Sequence, residues 1–286
     1  MTELLQTLLF GLATGAVISL SAVGLSLSYG VTRFINFSYG ELLTLGAYLT
    51  FVAVSLGLPV PLAAAVGMVV VGVIGVLLAR AFFDPIIERG FLALLVTSVG
   101  LAFVLQNLVR MVFGSSPTRF PLPLMRPWRV GELIVPKVPV LVIGIALVTM
   151  LGVHLMLRFT RMGKMMRATS DNGPLARASG IATGRVLSTT WFISGAIAAL
   201  GGVLLGITQL SLQPIMGWSF LLVVFAAVLL GGIGNPYGAM LGALIVGLGI
   251  ELGVAYVAPD YGHAFAFLLL VVVLLVRPQG LLKGSF

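Results

Sequence analysis

Of 286 residues, 59% are hydrophobic and 8% charged, where a soluble domain carries about 25% charged residues. No water-soluble core absorbs that much apolar surface, so the solvent of this chain is lipid. The net charge of +8 then reads as membrane topology rather than nucleic-acid binding, and the absence of cysteine excludes disulfides, thiol catalysis and Cys-based metal sites.

The stretch Met1–Gly15 carries one acid, Glu3, and no basic residue. A secretory signal opens on a positive region, so an uncleaved first span entered from outside is expected. Crossing about 30 Å of hydrocarbon takes around 20 apolar residues. Candidate spans are Leu4–Leu27, Gly40–Leu56, Pro61–Phe82, Phe91–Phe113, Val138–Leu157, Val186–Leu210, Trp218–Leu230, Gly238–Val257 and His263–Val276. The segments 40–56 and 218–230 are short enough to be partial or re-entrant. The expectation is an all-α polytopic membrane protein of eight or nine transmembrane helices, some of them broken, in one domain spanning 1–286.

The first interruption is Tyr29–Glu41, YGVTRFINFSYGE. Ser38-x-x-Glu41 fits a capping box, which is the structural reading of Glu41. The functional reading is that the break lines a pathway, because irregular backbone at membrane depth is tolerated only under protein or beside a water-filled cavity. A second interruption, Gly231–Gly238, GGIGNPYG, repeats the order Asn then Tyr-Gly: Asn36, Tyr39 and Gly40, then Asn235, Tyr237 and Gly238. Each break precedes a helix bearing one acid, Glu41 or Glu251. Paired interruptions point to a transport site. The candidate pathway residues are Asn36, Ser38, Tyr39, Glu41, Asn235, Tyr237 and Glu251, with Arg110 either a partner for Glu251 inside the membrane or a side chain that snorkels outward. Gly11 with Gly15, Gly195 with Gly201, Gly202 and Gly206, and the run Gly231–Gly253 allow close helix approach. The last run predicts a helix packed inside a bundle or against another subunit, not one facing lipid.

The segment 158–185 is the longest polar stretch, with Arg158, Arg161, Lys164, Arg167, Arg177 and Arg185 against Asp171 alone. Loops this basic stay on the cytoplasmic side. Alternation then places Arg33, Arg80–Arg89, Arg277 and Lys283 inside, and the links 57–60, 211–217 and 258–262, whose only charge is Asp260, outside. The N-terminus is expected outside and the C-terminus in the cytoplasm. Segment 114–137 departs from this: it falls outside yet holds Arg119, Arg126, Arg129 and Lys137, beside Pro117, Pro121, Pro123, Pro127 and Pro136. It reads as a compact external loop, with a short hairpin and Trp128 at the lipid interface. Within 158–185, Met162–Ser170 reads as a helix, Asn172, Gly173 and Pro174 as its break, and Leu175–Ser179 as a second helix before Gly180. The residues alone leave two readings, a docking surface or a charged tether that sets topology.

Several motifs are missing. Gly163-Lys164 lacks the upstream glycine and following hydroxyl of a nucleotide-binding P-loop. His154 and His263 make no metal-ligand spacing, and no catalytic constellation or arginine ladder occurs. No catalytic residue, cofactor or metal is expected.

The chain resembles the permease subunit of branched-chain amino acid ABC importers, the shorter of that family's two permease types. Ile35–Glu41 followed by Leu45–Tyr48 resembles the family's Asn-Phe-(Ala/Ser)-(His/Gln)-Gly-(Glu/Asp) segment, with Tyr39 where His is usual. Gly163, Arg167, Ala168, Asn172, Ala176 and Gly180-Ile181 resemble its cytoplasmic loop. Gly231–Ala239 resembles its glycine turn, with Asn235 where Ser or Thr is common. The resemblance implies that 158–185 is a coupling segment seated on an ATPase subunit, through Arg161, Gly163, Lys164, Arg167, Ala168, Asp171, Asn172, Ala176 and Gly180. It implies ATP hydrolysis on that partner chain, a second homologous permease, and an extracellular or periplasmic solute-binding protein facing 114–137 and 211–217. The place is the plasma membrane of a prokaryote, and ATP binding would rock the bundle between inward and outward openings. The cargo implied is a branched-chain or related amino acid. Relatives for urea or short amides and, more distantly, ribose-type sugars keep that open. Two other classes compete. A self-sufficient channel or secondary carrier would transport alone in liposomes. A membrane assembly factor would not transport even with an ATPase.

Overall fold

Lipid offers the backbone no hydrogen bonds, so a spanning segment satisfies its own N–H and C=O groups as helix. In the computed structural model, which describes residues 2–121, 127–130, 133–257, 261–277 and 280–282, every apolar segment falls in a helix. The order is α1 (Thr2–Thr32), α2 (Tyr39–Ser55), α3 (Val60–Leu78), α4 (Phe91–Phe113), β1 (Trp128–Val130), β2 (Leu133–Val135), α5 (Lys137–Phe159), α6 (Arg161–Asp171), α7 (Gly173–Ala178), α8 (Thr183–Thr208), α9 (Met216–Gly231), α10 (Pro236–Tyr256) and α11 (Gly262–Val276). A π turn, Ala79–Phe83, and a 3-10 turn, Asp84–Arg89, prolong α3. By length and composition α1, α3, α4, α5, α8 and α10 can each cross a membrane, while α2, α9 and α11 are shorter apolar helices. Among the described residues the fold is all-helical but for the small antiparallel hairpin β1–β2, in which Trp128 faces Val135.

Helices differ in how much of their surface they hide. The most apolar window of α8 is 89% buried and that of α5 only 22%, so α8 is a central post and α5 a peripheral one. α1 packs along α10 and also touches α8, α5 and α9, while α2 and α3 both pack on α8. Small residues make the closest crossings. A methyl on Gly247 of α10 would collide with the backbone of Gly15 on α1, and one on Gly11 would stand 3.1 Å from the Leu248 Cα. The glycine run 231–253 thus packs one face of α10 inside the bundle, not the whole helix. Its other face exposes Leu241 and Ile245.

The links gather at two ends. At one end, the Arg33 guanidinium donates to the Ser170 carbonyl, Arg80 donates to Ser188 (3.2 Å), and Leu281 N–H donates to the Leu230 carbonyl (2.8 Å). At the other, Thr118 and Leu212 exchange backbone hydrogen bonds (2.9 and 2.7 Å), which joins the 114–137 loop to the 211–217 link. Trp128 is half exposed with the Lys137 ammonium 5.5 Å over its ring. Pro123, Arg126, Asp260 and Lys283 lie outside the described residues.

Candidate functional site

The basic segment forms the two helices its residues ask for. Thr160 caps α6, its Oγ1 accepting the Gly163 N–H at 3.0 Å. Asn172 caps α7, its Oδ1 accepting the Leu175 N–H at 3.0 Å. Gly173 and Pro174 therefore open α7 rather than break the chain, proline being well tolerated in a first helical turn. Gly180 closes it in the left-handed region, at φ +83°. α6 is strongly two-sided. Gly163, Met166, Thr169 and Ser170 face inward, and Arg161, Lys164 and Asp171 are exposed with Asn172 and Gly180, while Arg167 and Ala168 are half-buried. Gly163 and Ala176 are buried. A side chain at Gly163 would run into the Met156 and Leu157 carbonyls, so Gly163 serves the α5–α6 corner and presents nothing outward.

This segment is fastened to the first break. Ser170 Oγ donates to the Gly30 carbonyl (2.6 Å), and Arg33 reaches back to the Ser170 carbonyl. Arg33 itself sits at φ +60°, a conformation uncommon outside glycine and asparagine. Sequence reasoning missed Ser170 and Arg33 as a pair, since 137 residues separate them. A cleft of about 590 Å³ opens alongside, lined by Arg33, Ile87, Asp171, Asn172, Arg177 and Gly184 among others.

The capping box expected at Ser38-x-x-Glu41 does not form. Ser38 already has helical backbone angles (φ −70°, ψ −8°), and its side chain makes no capping bond. Asn36 Oδ1 accepts the Ser38 N–H (3.0 Å) that the Glu41 carboxylate would have taken, and the Ser38 hydroxyl (2.6 Å), while the Glu41 N–H turns to the Ser38 carbonyl (3.1 Å). Asn36, Ser38, Tyr39 and Glu41 are all buried. Among the described residues, Asn36 Nδ2, the Tyr39 hydroxyl and both Glu41 carboxylate oxygens have no hydrogen-bond partner. Tyr39 threads between α1 and α8, its hydroxyl filling the space a side chain on Gly24 would take. Gly24 in turn offers its carbonyl to the Ser194 hydroxyl at 2.7 Å. The partner found for Glu251 is not Arg110. Glu251 Oε1 instead accepts the Thr14 hydroxyl at 2.7 Å, because the close α1–α10 crossing brings Thr14 beside it.

The second break resolves differently. Asn235 Oδ1 accepts the Tyr237 and Gly238 N–H groups (3.0 and 3.2 Å), an ordinary helix cap for α10. Tyr237 points outward, 37% exposed, and its hydroxyl is hydrogen-bonded to His154 Nδ1 on α5 at 2.9 Å. The two breaks do meet, but through apolar residues. Tyr29, Ile35 and Phe37 from the first and Ile233 from the second line one apolar pocket of about 270 Å³, with Phe225 of α9. The polar candidates thus separate into three places: Asn36, Ser38, Tyr39 and Glu41 beside α1, α2 and α4; Asn235 and Tyr237 beside α5; Glu251 toward the opposite end of the bundle.

Residues 7–274 match the family described as branched-chain amino acid transport system / permease component. The chain belongs to that family. It is 31% identical to the high-affinity branched-chain amino acid transport system permease protein LivH of Salmonella typhimurium, over 97% of this chain and 95% of that one. It is 32% identical to the permease protein BraD of Pseudomonas aeruginosa, again over 97% and 95%. Among solved structures it resembles PsaBC from Streptococcus pneumoniae in complex with Fab, with a TM-score of 0.53 at 14% identity, covering 94% of this chain and 91% of that one. That last likeness concerns the fold alone. The chain is a multi-pass membrane permease of the ABC transporter class, and the expected family is the one found.

Proposed function

We propose that this chain is the membrane-spanning subunit of an ATP-driven importer and forms the pathway for branched-chain or related amino acids. Separate ATPase subunits supply the energy by docking on 158–185, chiefly on Arg161, Lys164 and the exposed side of Arg167. The carrying observation is the two-helix segment itself, basic outside and fastened inside to the end of α1 through Ser170 and Arg33. A topology tether needs no such fastening. A push on α6 reaches the first break directly, and the unpartnered buried groups there would gain partners as the pathway opens. Completion of the machine takes a second homologous permease, and a solute-binding protein placed over the joined 114–137 and 211–217 links. The basic end lies in the cytoplasm and the N-terminus outside, in a prokaryotic plasma membrane.

The test is a pull-down from mild detergent of the wild-type chain beside a variant with Arg161, Lys164 and Arg167 all changed to Glu. A P-loop ATPase retained by the wild type and lost by the variant supports the docking surface. ATP-dependent uptake of leucine, isoleucine or valine, and not urea, by the reconstituted complex supports the cargo. An intact complex whose ATPase stays bound to the variant removes the assignment of the interface.

A further inference from the structure

At the end of the bundle away from α6, four helices enclose a second pocket of about 270 Å³. Thr14 of α1, Thr208 and Gln209 of α8, and Glu251 of α10 supply its polar side. Val17, Leu205, Phe220, Val223 and Ile250 supply much of its apolar floor. The volume is roughly that of nine waters at about 30 Å³ each, far more than a bare ion fills.

The hydrogen bonds of this pocket fix the chemistry of its ligand. The Thr14 hydroxyl spends its hydrogen on Glu251 Oε1 (2.7 Å). The Thr208 hydroxyl spends its own on the Leu204 and Leu205 carbonyls (3.0 and 2.9 Å). What remains toward the pocket from these groups is lone pairs and the carboxylate's second oxygen. No Lys or Arg lines the pocket among the described residues. An acid among apolar helices without an ionic partner is costly. The complement is a group with several N–H donors and a positive charge, attached to something apolar.

We propose that this pocket binds a primary ammonium carried on a short aliphatic group. The ammonium lies against Glu251 and the Thr14 and Thr208 oxygens, and the aliphatic part lies on the floor. A carboxylate on the same molecule finds no cation here and stays at the open mouth beside Gln209. Only the identity of the natural ligand, an amino acid on its way from the outer face, rests on the function proposed above. The site itself does not.

The cysteine-free chain allows a clean test, because Thr208→Cys at the pocket mouth becomes its sole thiol. Its labelling rate is measured in detergent-purified protein with a positively charged aminoethyl methanethiosulfonate and a negatively charged sulfonatoethyl one, each normalised to free cysteine. One carboxylate attracts the first and repels the second, so the cationic reagent should react about tenfold faster or more. Adding Glu251→Gln, which keeps the Thr14 bond, should bring the ratio close to one. Adding Thr14→Ala instead, which keeps the charge, should preserve the preference and shows that the pocket survives substitution. Millimolar isopentylamine and leucine should both slow labelling, while 4-methylpentanoate and equal sodium or potassium should not. A ratio indifferent to Glu251→Gln, protection by 4-methylpentanoate, or protection by the inorganic cations would overturn the proposal. Leucine uptake by the assembled importer is read separately, so its failure removes the cargo and leaves the ammonium site standing.

Discussion

Two stretches of this chain share a pattern and differ in what they become. Asn36 and Asn235 each sit ahead of a Tyr-Gly pair, and each accepts backbone N–H groups within three residues. Beyond that the breaks part. The second is closed: Asn235 caps α10, and Tyr237 lies on the outer surface with His154 as its partner. The first is open: Asn36 gives its oxygen to Ser38, and behind it Tyr39 and Glu41 are buried without hydrogen-bond partners among the described residues. A buried polar group left unpaired costs about 1–3 kcal/mol. Natural folds tolerate that chiefly where the strain serves function. The difference separates a break that ends a helix from one that holds buried polar groups without hydrogen bonds.

The largest effect is therefore expected at Glu41. Glu41→Leu removes a buried acid whose oxygens accept no hydrogen bond among the described residues, and should leave stability against thermal unfolding in detergent equal or higher. The same substitution should cut ATP-dependent uptake by about tenfold or more, since a side chain whose interactions form only in the moving state shows its contribution there. A variant that is less stable would mean that the carboxylate has a partner in the resting fold. A variant more stable and fully active would reduce the first break to architecture like the second.

Ser170→Ala comes next. It removes the hydrogen bond to the Gly30 carbonyl, for about 1 kcal/mol of stability. ATPase binding should be kept, because Ser170 faces inward, while ATP hydrolysis runs with reduced uptake. Coupling measured as solute moved per ATP checks this, and an unchanged ratio would show that α6 moves α1 by another route. Asn235→Ala is a smaller perturbation. Losing a helix cap costs about 1 kcal/mol, so the melting temperature should fall with uptake KM unchanged. A raised KM there would place the second break on the pathway beside the first.

What the residues disclosed follows what local physics decides. The helical spans were legible because a continuous apolar run of about 20 residues crosses lipid by pairing its own backbone as helix. The pair α6 and α7 was legible because Asn172 and Gly180 are local signals, although Pro174 opens α7 instead of ending α6. The breaks were legible as breaks and not as what they became. Ser38-x-x-Glu41 satisfies the pattern of a capping box, but in the fold Asn36 takes the Ser38 N–H and the Ser38 carbonyl takes the Glu41 N–H. Distant partners were out of reach: Thr14 and Glu251 are 237 residues apart. A hydroxyl placed opposite an acid by a glycine-to-glycine helix crossing leaves no periodicity to read.

The smallest effect tests the closed break from its other side. Tyr237→Phe removes a hydroxyl bonded to His154 at 2.9 Å but keeps the ring, whose centre lies 5.6 Å from the imidazole in an edge-on arrangement. The bond is near the surface of the bundle, where its net contribution falls at the low end of about 0.5–1.5 kcal/mol. The melting temperature should therefore drop slightly, and uptake should stay within about twofold, a difference of less than about 0.5 kcal/mol. Tyr39→Phe is the matching change in the first break, and it should behave oppositely. Its hydroxyl has no partner among the described residues, so removing it should leave stability equal or higher while uptake falls. If both tyrosines tolerate the change, the two breaks differ only in packing. If Tyr237→Phe is the one that stops uptake, the outer face of α5 and α10 carries function, and the working break has been placed on the wrong side of α1.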